Sequence, residues 1–201
     1  MIIPAIIAKN QTEFNERYNN VSFAKVIHLD LMDTEFVDNE SLLFPIKLPH
    51  NEFHWHLMTT NPYKYIESCR GNIFYVHAET VNLEKHVSYC HNKNIPVCFA
   101  LNPSTPITYL DEVIENIDRL LIMTVEPGQY GAQLVRKAAQ KIKDVPPHIK
   151  VCVDGAMNNH TIKLAKYAEH VVSGSYLQKT GKAGYKLLTS LHAASQTLRK
   201  A

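Results

Sequence analysis

Short apolar, β-branched runs alternate with amphipathic stretches along the chain, and this alternation restricts the fold more than any other feature. Eight runs have the composition of β-strands, over residues 2–7, 24–31, 53–58, 72–77, 96–101, 119–125, 149–153 and 169–173. Helices are predicted between and after them, over residues 11–19, 40–44, 61–69, 82–91, 106–116, 131–143, 159–168 and 184–198. Because strand–helix–strand units require a parallel sheet covered by helices, the pattern predicts an α/β fold, a closed (β/α)8 TIM barrel. An open, doubly wound sheet is the alternative.

The length and charge of the chain narrow its class. Its 201 residues suit one domain, residues 1–201, with a core that needs no disulfide or structural metal. The formal net charge is only +2, and the basic residues are scattered along the sequence. Binding to nucleic acid or to a membrane surface is therefore not expected. The sequence has no CxxC pair, no recognisable signal peptide and no apolar run of transmembrane length, which predicts a cytoplasmic protein with reduced thiols.

Polar side chains recur where the predicted strands end, at the mouth of such a barrel. His28 and Asp30 share one face of the run "VIHLDLMD", His56 ends "FHWH", and Asp154 ends "IKVCVD". Two imidazoles and two carboxylates suit one divalent ion such as zinc, iron, manganese or cobalt. Taken singly, each residue is more often a core histidine or a helix cap, and capping is an equal alternative for Asp154.

Methionines accompany these polar groups at the strand ends. Met32, Met58 and Met123 would line the same mouth, although methionine is also a common core filler. Supporting or structural roles are expected for four nearby polar residues, Asp33, His54, His77 and Glu79.

Glycines cluster behind the last predicted strands, in the segments "EPGQYG", "DGAMN" and "SGSY". Glycine permits close backbone approach, and loops after the final strands of a barrel often bind phosphate. The residues of this predicted phosphate site are Gly128, Gly131, Gly155, Ala156, Gly174 and Ser175. Glycine also marks ordinary turns, so each loop alone is weak evidence. Nucleotide binding is not expected, because neither a Walker sequence nor GxGxxG occurs.

Together these segments resemble the ribulose-phosphate 3-epimerase family over nearly the whole chain. The resemblance is carried by "HLDLMDTEFVDN", "HLMTTNPYKYI", "YVHAE", "ALNPSTP", "LIMTVEPGQYG", "VDGAMN" and "VSGS". It implies a barrel of the ribulose-phosphate-binding type with one divalent metal ion held by His28, Asp30, His56 and Asp154. It further implies that Asp30 and Asp154 are the acid/base carboxylates, that His56 also contacts substrate, and that the three methionines line the reacting centre. Homo-oligomers are expected by the same analogy.

The implied reaction is epimerisation at C3 of a phosphorylated ketose, D-ribulose 5-phosphate to D-xylulose 5-phosphate in the pentose phosphate pathway. One carboxylate removes the C3 proton, the metal ion stabilises the resulting enediolate, and the second carboxyl group returns a proton to the opposite face.

Departures from the family pattern keep alternatives open. Ala5 stands where the family has a substrate-contacting serine, and Ala156 replaces a glycine. Tyr130 stands at a glycine position in an ungapped alignment. These changes suggest two alternatives: an epimerase for a hexulose 6-phosphate such as allulose 6-phosphate, or a catalytically impaired paralogue that binds metal and phosphosugar. A metal-dependent hydrolase is a third, prompted by the HxH pair of His54 and His56.

Overall fold

The computed structural model describes residues 1–71, 73–128 and 131–197, and it contains a closed barrel of eight parallel strands. The strands are β1 (Ile2–Ile6), β2 (Val26–Asp33), β3 (Glu40–Ser41), β4 (Glu52–Met58), β5 (Ile73–His77), β6 (Cys98–Leu101), β7 (Arg119–Met123), β8 (Lys150–Asp154) and β9 (His170–Ser173). The sheet order is β1-β9-β8-β7-β6-β5-β4-β2-β3, and pairing of β1 with β2 closes it. Among the described strands only β3 is antiparallel, and it is added to the edge of β2. The predicted (β/α)8 TIM barrel is therefore confirmed.

The described residues form four α-helices on the outside: α1 (Gln11–Val21), α2 (Pro62–Ser68), α3 (Leu83–Lys93) and α4 (Ser175–Thr197). The first and third have asparagine N-caps. The Asn10 side chain accepts a hydrogen bond from the Glu13 amide and that of Asn82 from the Lys85 amide, each at 2.9 Å. Within α4, Gly181 has a non-helical φ of 54° that divides the helix.

Three predicted helices are instead 3-10 turns. The segment 106–116 contains Ile107–Leu110 and Ile114–Asn116, 131–143 contains only Ala138–Asp144, and 159–168 contains only Ile162–Ala165. β-Branched residues weaken the first segment as an α-helix. In the second, the Val135 amide donates to the Thr124 carbonyl at 2.7 Å and ties the segment to β7. In the third, the Thr161 hydroxyl donates to the Ala156 carbonyl at 2.6 Å, a local bond that competes with helix formation.

The predicted helix over residues 40–44 is wrong. Glu40 and Ser41 form β3, and Leu42 follows with a φ of +58°, which does not continue a right-handed helix. The Leu42 amide donates to the Ala8 carbonyl at 2.8 Å, so a contact with β1's end, not local propensity, fixes this segment.

Strand alternation divides the apolar residues into two layers. One parity fills the barrel interior, as with Ile3, Tyr75 and Leu121, while the other packs beneath the helices, as with Leu29 and Phe99. Both sets are buried. Polar side chains that point into the barrel can therefore reach solvent only at its two ends.

The register of the strands brings the functional candidates to the carboxyl end. Asp30 of β2 lies opposite His56 of β4, and Met123 of β7 lies opposite Asp154 of β8. His28 precedes Asp30 on the same inward face.

In the described part of the chain, none of the helices combines the length and apolar character that crossing a bilayer requires. Of the predicted positions, Asn72, Tyr130 and Leu198 lie outside the described residues.

Candidate active site and metal centre

Four side chains from three strands converge at the mouth of the barrel. His28 and Asp30 come from β2, His56 from β4 and Asp154 from β8, and one potential ligand atom from each lies within 4.8 Å of all the others. Both histidines are fully buried, and Asp30 is nearly so. All four have the inward parity; Asp30, His56 and Asp154 lie toward the carboxyl ends of their strands, and His28 lies two residues before Asp30 on β2.

The distances between these groups suit a single cation. Asp30 Oδ1 lies 3.3 Å from His28 Nε2 and 3.0 Å from His56 Nδ1, while Asp154 Oδ2 lies 3.8 Å from each of those nitrogens. Ligand atoms about 2.0–2.2 Å from a tetrahedral zinc ion stand roughly 3.3–3.6 Å apart. Neither ring nitrogen of the buried His28 makes a well-aligned hydrogen bond within the described residues, although Asp30 Oδ1 lies 3.3 Å from Nε2, and a metal ion at Nε2 would supply the missing partner. The cluster can therefore hold a metal ion.

The two carboxyl groups have pKa values displaced in opposite directions. Burial alone would raise the pKa of Asp30, but the adjacent His28 and His56 outweigh burial and hold it below the ordinary value. The pKa of Asp154 is raised, first by burial and then by the charge of Asp30. The pKa of His28 is raised although burial lowers it, because Asp30 and Asp154 stabilise its charged form. Such separation of two neighbouring carboxyl groups is typical of acid/base pairs.

An open pocket lies in front of the cluster. Asp30, His56 and Asp154 line it, whereas His28 lies behind them. The three predicted methionines, Met32, Met58 and Met123, also line it and are buried. Met32 and Met58 pack together with Val37 from the loop after β2. This apolar wall limits the water that can reach the cluster.

The predicted phosphate-site residues line the same pocket: Gly128, Gly131, Gly155, Ala156, Gly174 and Ser175. At Gly155 the φ is +113°, and a Cβ atom there would lie 2.7 Å from Val125 Cγ2, so the loop requires glycine. The next residue, Ala156, has a φ of +51°, a left-handed conformation that costs an alanine roughly 1–2 kcal/mol. The loop therefore adopts this conformation with Ala156 at a position where the resembled family has glycine.

Sequence reasoning missed Thr124, which fixes the end of β8. Its hydroxyl oxygen lies 2.9 Å from the Asp154 carbonyl oxygen and 2.7 Å from that of Gly155, which share its single proton, and its amide donates to the Asp154 carbonyl at 2.7 Å. A threonine directly after a strand carries no signal of this role, because the role depends on a neighbouring strand.

The HxH pair that prompted the hydrolase alternative does not form a common site. His54 faces the interior nearer the amino end, with Nε2 3.5 Å from Glu52 Oε1. Among the described residues, the cluster able to hold a metal contains His56 and not His54. Ala5, at the family's serine position, is buried and lines the pocket.

Solved structures of other proteins share the fold. The 3-hexulose-6-phosphate synthase from Salmonella typhimurium superposes with a TM-score of 0.65 at 13% identity, covering 96% of this chain and 99% of that one. KGPDC from Streptococcus mutans gives a TM-score of 0.65 at 12% identity, covering 96% and 97% of the two chains. At these identities, the similarity concerns the fold alone.

Sequence comparison identifies the family. The family model described as "Ribulose-phosphate 3 epimerase family" matches residues 1–178. The ribulose-phosphate 3-epimerase of Schizosaccharomyces pombe is 31% identical over 156 residues, which cover 69% of this chain and 68% of that protein. The enzyme of the same name from Bacillus subtilis is 27% identical over 203 residues, covering 92% and 91%. This chain therefore belongs to the ribulose-phosphate 3-epimerase family and, with it, to the isomerases that act on carbohydrates.

Proposed function

We propose that the protein is a metal-dependent epimerase that interconverts D-ribulose 5-phosphate and D-xylulose 5-phosphate at C3. One observation carries the proposal: two histidines and two aspartates that are distant in sequence place four ligand atoms within 4.8 Å of one another at the barrel mouth. His28, Asp30, His56 and Asp154 would hold the ion. When bound, a divalent cation would act as a Lewis acid toward the oxygen atoms next to the reacting carbon.

Asp30 and Asp154 would exchange protons with C3 from opposite faces of the sugar. One carboxylate takes the C3 proton, and the electron pair of the broken C–H bond moves toward the C2 carbonyl. The other carboxyl group, protonated beforehand, then gives its proton to C3 from the other side, which inverts the configuration. The raised pKa of Asp154 and the lowered pKa of Asp30 favour a pair that shares one proton.

The remaining pocket residues would bind and enclose the sugar phosphate. The loops containing Gly128, Gly155 and Gly174 line the pocket, and their backbone amides would bind the phosphate group. Met32, Met58 and Met123 would cover the reacting carbons and exclude water.

Exchange of the C3 proton with solvent tests this function. Metal-loaded protein is incubated with D-ribulose 5-phosphate in D2O, and NMR follows deuterium incorporation at C3. We expect Asp154→Asn to slow exchange by roughly 10²–10⁴-fold, because the amide cannot transfer a proton. Asp111→Asn, which changes an exposed aspartate, should leave the rate unchanged. If the unaltered protein binds ribulose 5-phosphate but exchanges no proton, the epimerase proposal is wrong and a binding role takes its place.

A further inference from the structure

A line of hydrogen-bonded side chains extends from the proposed metal centre into the barrel wall. His56 Nδ1 faces Asp30 at 3.0 Å, while its other nitrogen, Nε2, lies 2.9 Å from His77 Nε2. The two imidazole rings are stacked, with centroids 5.0 Å apart. Both rings are fully buried, so water does not substitute for either contact.

Glu79 lies at the far end of this line and is held in place by two further hydrogen bonds. Its Oε2 lies 3.3 Å from His77 Nδ1, and its Oε1 accepts from the Asn102 amide at 2.9 Å and the Thr105 hydroxyl at 2.5 Å. Lys141 donates to the carbonyls of Asn102 and Thr105 at 2.8 and 2.7 Å, which ties their loop to the segment after β7. Burial would raise the pKa of Glu79, but these hydrogen bonds lower it to about 2, so the carboxylate only accepts.

The direction of each hydrogen bond follows from this fixed acceptor. Since Glu79 cannot donate, the proton on His77 lies at Nδ1, and a neutral imidazole then has a bare Nε2. Two bare nitrogens would repel at 2.9 Å, so His56 carries a proton on Nε2. With Nε2 engaged in this way, the nitrogen of His56 that faces Asp30 and Asp154 is Nδ1. Because Nδ1 lies 3.0 Å from a carboxylate oxygen, a cation must lie between them, either a proton or a metal ion.

We propose that His77 and Glu79 are positioning residues that fix the tautomer of His56, so that Nδ1 is free to bind a divalent cation. This inference rests on the proposed function, because it assigns His56 as a metal ligand. Hydrogen bonds of this kind orient metal-bound histidines, and their loss typically weakens metal binding 10–100-fold.

Glu79→Gln tests the proposal with almost no change in shape. The glutamine oxygen would keep the bonds from Asn102 and Thr105, so its NH2 group would face His77 Nδ1 as a donor. The proton on His77 would move to Nε2, and His56 would then carry its proton on Nδ1, where the metal should bind. We expect Zn²⁺ affinity, measured by competition with a chromophoric chelator, to fall by about 10–100-fold.

Glu52→Gln is the matched control, because Glu52 also faces a buried histidine, with its Oε1 3.5 Å from His54 Nε2, but outside the cluster. It should leave Zn²⁺ affinity unchanged. An unchanged affinity in Glu79→Gln would overturn the proposal.

NMR of the metal-free protein separates this inference from the proposed function. Histidine ¹⁵N spectra of the unaltered protein should show His77 protonated at Nδ1 and bare at Nε2, and His56 protonated at Nε2. The opposite pattern at His77 would overturn the proposal even if Glu79→Gln does not fold. If the spectra agree but the protein binds no divalent ion, the positioning chain stands and the metal-dependent function fails.

Discussion

The barrel interior has histidines at both ends, and their surroundings differ. At the carboxyl end, His28 and His56 face the carboxylates of Asp30 and Asp154. At the amino end, His54 and His170 face each other, with ring centroids 5.9 Å apart. His170 Nδ1 also lies 3.4 Å from a nitrogen of Arg119.

This difference in neighbours separates the pKa values of the histidines. Burial, and then the charges of His28, His170 and Arg119, lower the pKa of His54 to about 3. Burial and the Arg119 charge lower that of His170 to about 4. His28 is buried as deeply, yet its pKa is raised. Burial alone therefore does not decide what a buried histidine can do. Carboxylate partners prepare one end of the barrel for a cation, and the other end contains neutral imidazoles.

Replacing one histidine at each end should give the largest difference. We expect His28→Gln to weaken Zn²⁺ binding by more than about 100-fold, since it removes a proposed ligand and not merely a supporting contact. His54→Gln changes a histidine of the opposite end that lies outside the cluster, and it should retain the affinity. Chelator competition measures both. Equal losses would show that general packing of the interior, and not the identity of the ligands, controls metal binding.

The backbone at the carboxyl end of the barrel is also restricted in its conformation. Gly155→Ala should lower the free energy of unfolding by about 2–5 kcal/mol, because the new Cβ would meet Val125 and the φ is +113°. Urea denaturation measures the change. Ala156→Gly in the same loop is the control, and it should stabilise the protein by about 1 kcal/mol by removing left-handed strain. Destabilisation by both substitutions would contradict this account of the loop.

The histidines of the amino end should make the metal-free protein less stable in acid. Their folded pKa values, about 3 and 4, lie below the ordinary 6.5, so the unfolded chain binds protons that the folded state does not. Their contribution is therefore complete above pH 6.5 and is lost as the pH falls toward 4. His28 acts with the opposite sign, because its raised pKa contributes stability that is lost as the pH rises through it.

Urea midpoints at pH 7.5 and pH 5 measure this effect. A double variant, His54→Gln with His170→Gln, should lose less stability between the two values than the unaltered protein. An identical loss would mean that these histidines do not contribute to acid sensitivity.

Strand alternation explains why so much of the site was predictable. The eight predicted barrel strands differ from the observed ones by at most two residues at either end. Residues two apart on a strand share a face, so His28 and Asp30 had to point the same way. The glycines after the last strands were informative for a similarly local reason, because few other residues tolerate positive φ.

Contacts between distant segments were not predictable. The short strand β3 replaced a predicted helix because Leu42 bonds to Ala8, and three predicted helices became 3-10 turns. The line from His56 through His77 to Glu79 and Thr105 joins β4, the end of β5, the turn after it and the loop after β6. Sequence analysis assigned His77 and Glu79 only an unspecified supporting role.

The sequence by itself determined which side chains face into the barrel, because that choice depends on the two-residue repeat of each strand. Only the tertiary structure decided which of them meet. Closure of the sheet sets the register between strands, and the register brought Asp154 to His28 and His56 while leaving His54 with His170. Direction along a strand is a local property, whereas proximity across the barrel depends on the whole chain.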